Sequence, residues 1–375
     1  MQINIMEKKK LAIINADKAQ IPLVKKAMEM GVETHCFAWD KETYNDCKGI
    51  ADYYHPISIL EKEKILEKCK EININGITSI RHDFSVPIVA YIAEKMGLPG
   101  NRYEDMLMAA GSKFTMRQAF SKNGVKSPRY TNSRNCTDLS EFQYPLIVKP
   151  VDRCASIGVM KVNNETELKE AIDRAKQLSY TRDAIIEEFV TGIEVTIDMI
   201  SWQGIHYPIS MTETETTGAP YYTKIGYHGP PVFNDDIQNK IIIEAKKALT
   251  ALNFNYGASD TEVIVTETGE VKLIEINPRM GGDSTDQLVR LSTGYDFLKG
   301  AINLALGQFE IPVFPYKKYA GIYYCLVNTE WIKKVIEEKE NNPEIVEAVF
   351  FKEEDKRLGR IGYFIYQTEQ KRRWT

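Results

Sequence analysis

Apolar and polar positions along the first hundred residues follow two alternating periods. Lys10 to Asn15, Glu33 to Trp39, Tyr53 to Ile57 and Gly76 to Ile80 are short runs of strand length. Between them, Gln20 to Met30, Lys62 to Cys69 and Val86 to Met96 place apolar residues at helical spacing, with Gly31 and Gly97 as stops. Strands alternating with helices of this length predict a parallel sheet covered by helices, which binds ligands beyond the carboxyl ends of its strands. Arg81, His82 and Asp83 end the fourth strand and are candidates for such a site. The loop after the first strand, Ala16 to Gln20, has no glycine, and no G-x-G-x-x-G or Walker A sequence occurs in the chain. Without glycines a dinucleotide pyrophosphate cannot approach the backbone there, which excludes an NAD domain.

Leu98-Pro99-Gly100 breaks the pattern, and a charged helical stretch follows to Lys122. Leu146 to Lys149 predicts a strand leading into the loop Pro150 to Gly158 and a further strand from Val159. Glu165 to Leu178 predicts a helix, and Ala184 to Val190 and Glu194 to Ser201 predict two strands around Thr191-Gly192. Glu213 to Pro231, with Gly218, Pro220, Gly226, Gly229, Pro230 and Pro231, reads as a long functional loop. Ile237 to Leu252 predicts a helix, Glu262 to Thr266 and Val271 to Ile276 a hairpin turning at Thr268-Gly269, and Asp286 to Leu306 helix again. Beyond residue 310 strand and helix mix without a chemical motif.

Composition narrows the class. A chain of 375 residues, 43% hydrophobic and 27% charged, is globular with two or three packed units. A net charge of -4 lacks the basic surface that nucleic-acid binding needs. The basic runs Lys8 to Lys10 and Lys371 to Arg373 read as solvated tails. Six cysteines without a C-x-x-C pair exclude a zinc or redox motif, and no run is apolar enough to cross a bilayer. The expectation is a reduced, cytoplasmic protein with neither membrane nor nucleic-acid partner.

The chemistry concentrates in Leu273-Ile274-Glu275-Ile276-Asn277-Pro278-Arg279. In a strand Glu275, Asn277 and Arg279 share one face while Ile274 and Ile276 face the core. An acid, an amide and a guanidinium in a row make a site for a hard cation beside a phosphate. The turn at Thr268-Gly269 brings Glu262 alongside Glu275, and two adjacent carboxylates repel unless a cation lies between them. Asp260, two positions earlier, is a reserve ligand, although a solvated edge strand would also carry such polar residues. Lys149 ends an apolar strand and suits a phosphate as a point charge. The small-residue loop Asp152 to Gly158 can close over phosphates with backbone N–H donors. Lys113 is within reach of the same place.

Lys113, then Lys149 with its loop, then E-E-F-V-x-G-x-E from Glu187 to Glu194, then Glu262 and the E-x-N-x-R of Glu275, Asn277 and Arg279 resemble, in order and spacing, the ATP-grasp superfamily. The resemblance spans about residues 10 to 310. It implies an α/β N-terminal domain with a parallel sheet, like that of biotin carboxylase (1–108), and an α+β ATP-grasp fold over 109–310 of two subdomains, one with the phosphate loop (about 125–187) and a catalytic one (about 188–310). A C-terminal α+β segment (311–375) would pack on that fold. ATP would lie between the subdomains, with Lys113, Lys149, Ser156 and Gly158 at its phosphates. Glu187 and the backbone of Glu188 and Val190 would read adenine, and Glu194 the ribose. Glu262, Glu275 and Asn277 would hold Mg²⁺, or Mn²⁺ in its place. Arg279, Lys149 and Asn277 would be catalytic. His228, Lys224, Tyr222 and Arg81 are substrate candidates, with Thr214 and Tyr221 on the same stretch. The implied function is a ligase that activates a carboxylate as an acyl phosphate and couples it to an amine. Bicarbonate activation and a non-catalytic ATP-binding regulator are the alternatives. Partners would be small carboxylates and amines, and dimers are common among relatives.

Overall fold

The computed structural model describes residues 8–41, 44–134, 139, 142–219, 222–352, 359–372 and 374. Cys136 and Tyr221 lie outside them. The N-terminal strands β1 (Lys10–Ile14), β2 (Glu33–Phe37), β3 (Tyr53–His55) and β4 (Gly76–Thr78) form a parallel sheet in the order β3-β2-β1-β4. Helices α1 (Ile21–Glu29), α2 (Lys62–Ile72) and α3 (Ser85–Met96) cover it. Leu11 and Ile13 pack on one side, Ala12 and Ile14 on the other, so the central strand is apolar on both faces. Each predicted element forms, and α3 ends at Gly97 in the left-handed conformation, where φ is +66°.

Helices α4 (Tyr103–Gly111) and α5 (Lys113–Lys122) lead to a small antiparallel sheet. It holds β5 (Tyr130–Asn132), β6 (Leu146–Pro150), β7 (Met160–Val162) and β8 (Ala184–Glu188), ordered β5-β8-β6-β7. Helix α6 (Glu165–Leu178) packs on it through Leu168, Ala171, Ile172 and Ala175. Asn164 caps that helix, its side-chain oxygen accepting from the Glu167 amide at 3.0 Å.

A third, eight-stranded sheet carries the rest of the chain. Its strands are β9 (Ile193–Trp202), β10 (Ile205–Thr216), β11 (Lys224–Gly229), β12 (Gly257–Val265), β13 (Val271–Asn277), β14 (Tyr319–Leu326), β15 (Ile345–Phe350) and β16 (Arg360–Thr368). The order is β13-β12-β9-β10-β11-β14-β16-β15. Helix α7 (Asp235–Ala251) packs against Val195, Ile197, Val263 and Leu273 on one face. Helices α8 (Thr285–Thr293) and α9 (Phe297–Ala305) lie on the other side, and α10 (Glu330–Glu337) packs near the β16 end.

Three expectations need correction. Glu213 to Pro231 is not one long loop: β10 extends to Thr216 and β11 begins at Lys224. Gly226 and Gly229 serve close packing in the sheet, since a Cβ on Gly229 would lie 2.5 Å from the Met211 carbonyl oxygen, while Gly218 at φ +71° serves the turn. The helix expected from Asp286 to Leu306 breaks into α8 and α9 at Gly294, which has φ +77°. Lys371 is no solvated tail; its ammonium sits 2.9 Å from both carboxylate oxygens of Glu213. Beyond residue 310, β14, β16 and β15 continue the same sheet, with α10 packed beside them. No helix among the described residues is long and apolar enough to cross a membrane.

Candidate functional site

The hairpin of β12 and β13 pairs Glu262 with Glu275 and Asp260 with Asn277, so both carboxylates meet side by side on one ribbon. A register shift follows Glu262. The metal-ligand candidates are met by ammonium groups. Lys224 Nζ lies 2.6 Å from Glu262 and 3.1 Å from Glu194, and Lys113 Nζ lies 2.7 Å from Glu275. Burial works against both ammonium groups, yet the adjacent carboxylates outweigh it and raise both pKa values, Lys224 strongly. Burial likewise opposes the Glu262 carboxylate, and Lys224 holds its pKa down. Among the described residues no three acid, histidine or cysteine side chains converge as a preformed metal cluster. Two facing carboxylates and an amide nevertheless suit a cation that keeps its waters and shares phosphate oxygens, so the donor set fits Mg²⁺.

Lys149 is brought in by β6 and Glu187 by its neighbour β8. Lys149 Nζ stands 2.6 Å from Glu187, whose other oxygen is 2.8 Å from Arg117 Nε. Burial lowers the Lys149 pKa, while Arg117 and Lys149 hold Glu187 low against its own burial. The Glu187 carboxylate is therefore committed to two cations. Arg117 was not read from the sequence; the available signal was an arginine beside Met116 and Phe120 in the apolar stripe of α5, where a buried cation needs an anion.

The loop after β6 holds Ala155 at φ +55° and Ser156 at +56°, followed by Gly158 at +76°. Two consecutive non-glycine residues in the left-handed region store strain that functional loops commonly carry. Lys113 Nζ also donates to the Arg153 carbonyl at 2.6 Å, tying that loop to the hairpin. The bend between β8 and β9 carries Glu188, Val190 and Glu194. The Glu188 amide donates to the Arg129 carbonyl at 3.0 Å. Burial raises the Glu194 pKa.

Arg279 Nε donates to Asp83 at 2.7 Å, joining the hairpin to the strand ends of the N-terminal sheet. Arg81 pairs with Asp286 instead. His228 packs on Tyr323 with ring centroids 4.2 Å apart and planes tilted by 40°, and its Nδ1 is 3.1 Å from the Tyr366 hydroxyl. Tyr222 lies at 6.2 Å from Phe189, near the bend.

Lys113, Lys149, Ser156, Gly158, Glu187, Glu188, Val190, Glu194, Glu262, Glu275, Asn277 and Arg279 line one cleft of about 1110 Å³, together with Arg81, Tyr222, Lys224 and His228. Residues that the sequence did not disclose also line it: Tyr227, Asp283, Arg360, Lys371, Arg372 and Trp374. Asp283 accepts from the Tyr227 hydroxyl at 2.8 Å and from Arg360 at 2.6 Å. These groups are far apart in the chain and no local spacing connects them.

Residues 142–287 match the model of the ATP-grasp domain. The chain is 27% identical over 274 residues to alanine–anticapsin ligase of Bacillus amyloliquefaciens, covering 63% of this chain and 57% of that one. The chain thus spans about half the length of the curated relatives it matches. Its fold is that of an L-amino acid ligase from Bacillus licheniformis, with TM-score 0.81 at 23% identity over 97% of this chain and 94% of the other. The N5-carboxyaminoimidazole synthetase of Staphylococcus aureus, solved with ADP, superposes with TM-score 0.78 at 16% identity over 97% and 95%.

Proposed function

The chain carries an ATP-grasp domain, and on that premise we propose that it is an ATP- and Mg²⁺-dependent carboxylate–amine ligase. The observation that carries the reading is the convergence of Lys113, Lys149, Arg279 and the Glu262–Glu275 pair in one cleft. Binding a nucleotide alone would not require this density of charge. Ligation by an acyl phosphate needs it, because negative charge moves from phosphoryl to acyl oxygen and must be met throughout.

In this reading Lys113 and Lys149 hold ATP phosphates, with the 152–158 loop closing over them. Glu188, Val190 and Glu194 hold the nucleoside, and Glu187 orients Lys149 rather than touching adenine with its carboxylate. Glu262, Glu275 and Asn277 would hold Mg²⁺, which would supply positive charge to offset that of the phosphates. Arg279, steadied by Asp83, meets the substrate carboxylate as it takes the γ-phosphoryl group of ATP and ADP leaves. It then meets the oxyanion that forms as the amine attacks the acyl phosphate and gives up a proton. Phosphate then leaves and an amide remains. Most of the rate would come from positioning and fixed charges. His228, Lys224 and Tyr222 line the substrate end. Small carboxylates and amines are the partners, in the cytoplasm, and a homodimer belongs to the same proposal.

A panel of amino acids and dipeptides scored for ADP and phosphate release tests this. The expected result is ADP formation that needs both an acid and an amine. Arg279→Ala should lower kcat by about 10²–10³. Wild-type turnover in that variant would remove the role given to Arg279. ADP release driven by bicarbonate without any amino acid would replace the ligase reading with a carboxylating one.

A further inference from the structure

An amine that attacks an acyl phosphate must shed a proton, and the groups placed around the phosphates are poorly suited to take it. Ammonium and guanidinium groups have no lone pair to offer. Glu187, Glu194, Glu262, Glu275 and Asp83 each have a cation beside them.

His228 differs from them in position and in bonding. Along β11, Lys224, Gly226 and His228 alternate onto one face of the large sheet. Lys224 reaches Glu194 and Glu262, so that strand runs from the reacting end of the cleft to His228. The imidazole rests over two glycines. A Cβ on Gly226 would fall 2.5 Å from its Nε2, and one on Gly321, its cross-strand partner on β14, 2.6 Å from its Nδ1. Those two missing side chains leave the room that the ring fills. Because Gly226 lies between His228 and Lys224, Nε2 is turned toward the Lys224 end.

The partners of the ring set its tautomer. The Tyr366 hydroxyl donates to the Arg372 carbonyl at 3.4 Å and, with its hydrogen so engaged, accepts from Nδ1 at 3.1 Å. Burial pushes the Tyr366 pKa well up, so the hydroxyl keeps its proton. Nδ1 therefore carries the imidazole hydrogen and Nε2 the lone pair. Nε2 is buried and makes no hydrogen bond, in a side chain 11% exposed. The Glu215 carboxylate stands 3.5 Å from it, where it would offset positive charge on the ring.

We propose that His228 is the general base of the ligation step, its Nε2 taking the proton of the attacking amine. This rests on the carboxylate–amine ligase reading and adds to it the group that receives the proton. As the amine nitrogen bonds to the acyl carbon, an N–H proton passes to Nε2. The carbon–oxygen bond to phosphate then breaks and phosphate leaves with the electron pair. It carries the proton away as hydrogen phosphate, and an amide and a neutral imidazole remain.

The full chain and His228→Gln are compared in two reactions, with the acids and amines of the amino-acid and dipeptide panel. In the first, hydroxylamine replaces the amine. Its nitrogen is already neutral near neutral pH and needs no base, so hydroxamate reports the acyl phosphate alone. In the second, amide is measured at saturating amine. Hydroxamate formation should be unchanged in His228→Gln, which also shows that the variant is folded. Its amide kcat should fall about 10²-fold or more, with the amine KM little altered. An unchanged amide kcat would overturn the proposal and leave the ligase reading intact. So would a raised amine KM at unchanged kcat, which describes a binding group, or a loss of hydroxamate together with amide, which places His228 before the amine step. Absence of hydroxamate from the wild type with every acid would remove the acyl-phosphate reading itself, and this proposal with it.

Discussion

Replacing Arg117 by methionine keeps the bulk of the side chain in α5 and removes its charge from the interior. The guanidinium is 1% exposed as a side chain and lies 2.8 Å from Glu187, though not aligned as a hydrogen bond. Its Nη2 donates to the Ile274 carbonyl on β13 at 2.5 Å. One side chain thus links the small sheet, through β8, to the β12–β13 hairpin. Removing one partner of a buried ion pair costs about 3–5 kcal/mol, because the remaining charge is left in a medium that solvates it poorly. Lys149 stays on the other oxygen of Glu187 at 2.6 Å, which places the ion-pair loss at the low end. The stranded carbonyl adds about 1 kcal/mol, giving about 3–4 kcal/mol in all. Urea unfolding at neutral pH, followed by far-UV circular dichroism, measures it. Glu187 has its pKa held below the usual carboxylate value, so its contribution is present above the unfolded pKa and fades as pH falls through the folded one. The gap between wild type and Arg117→Met should therefore narrow below about pH 4. A loss under about 1 kcal/mol at neutral pH would refute the view that Glu187 depends on Arg117.

Other perturbations test separate parts of the argument. Lys224→Met leaves Glu194 and Glu262 without their shared ammonium and should destabilise the metal-free protein by about 3 kcal/mol, with MgCl₂ restoring part of it; a melt indifferent to both changes would count against the pair as a cation site. A Cβ at Gly281 would fall 2.5 Å from Asp260 and 2.7 Å from the Thr285 hydroxyl, so Gly281→Ala should cost about 1–3 kcal/mol by overpacking; an unchanged urea midpoint would refute this. His206 is buried between Ser201 and Thr250, and burial pushes its pKa down to about 4. Its neutral form favours the fold, so stability is present above about pH 6.5 and lost as pH falls toward 4. His206→Gln should flatten that part of a plot of melting temperature against pH, and a profile identical to wild type would exclude His206 as a contributor.

The alternation of apolar runs and helical stripes in the first hundred residues was enough to determine the parallel N-terminal sheet, because both faces of β1 must be covered. The period-two placement of Glu275 and Asn277, and the Thr268-Gly269 turn that returns Glu262 to them, were equally local. Strand geometry alone decides which side chains share a face, and turn length decides which face each other. The expected loop from Glu213 to Pro231 shows where local reading stops. Glycines that mark turns elsewhere here allow β10, β11 and β14 to approach, and their role depends on neighbours far away in the chain. The same applies to Arg117, Asp283, Arg360 and Lys371, which gain meaning only from the partners that folding brings to them. Charge balance in the interior is a property of three-dimensional proximity. The sequence determined which residues have donors and charges to offer; the tertiary structure decided that Lys224 stands between Glu194 and Glu262, and that Asp198 on β9 faces Asp260 on β12.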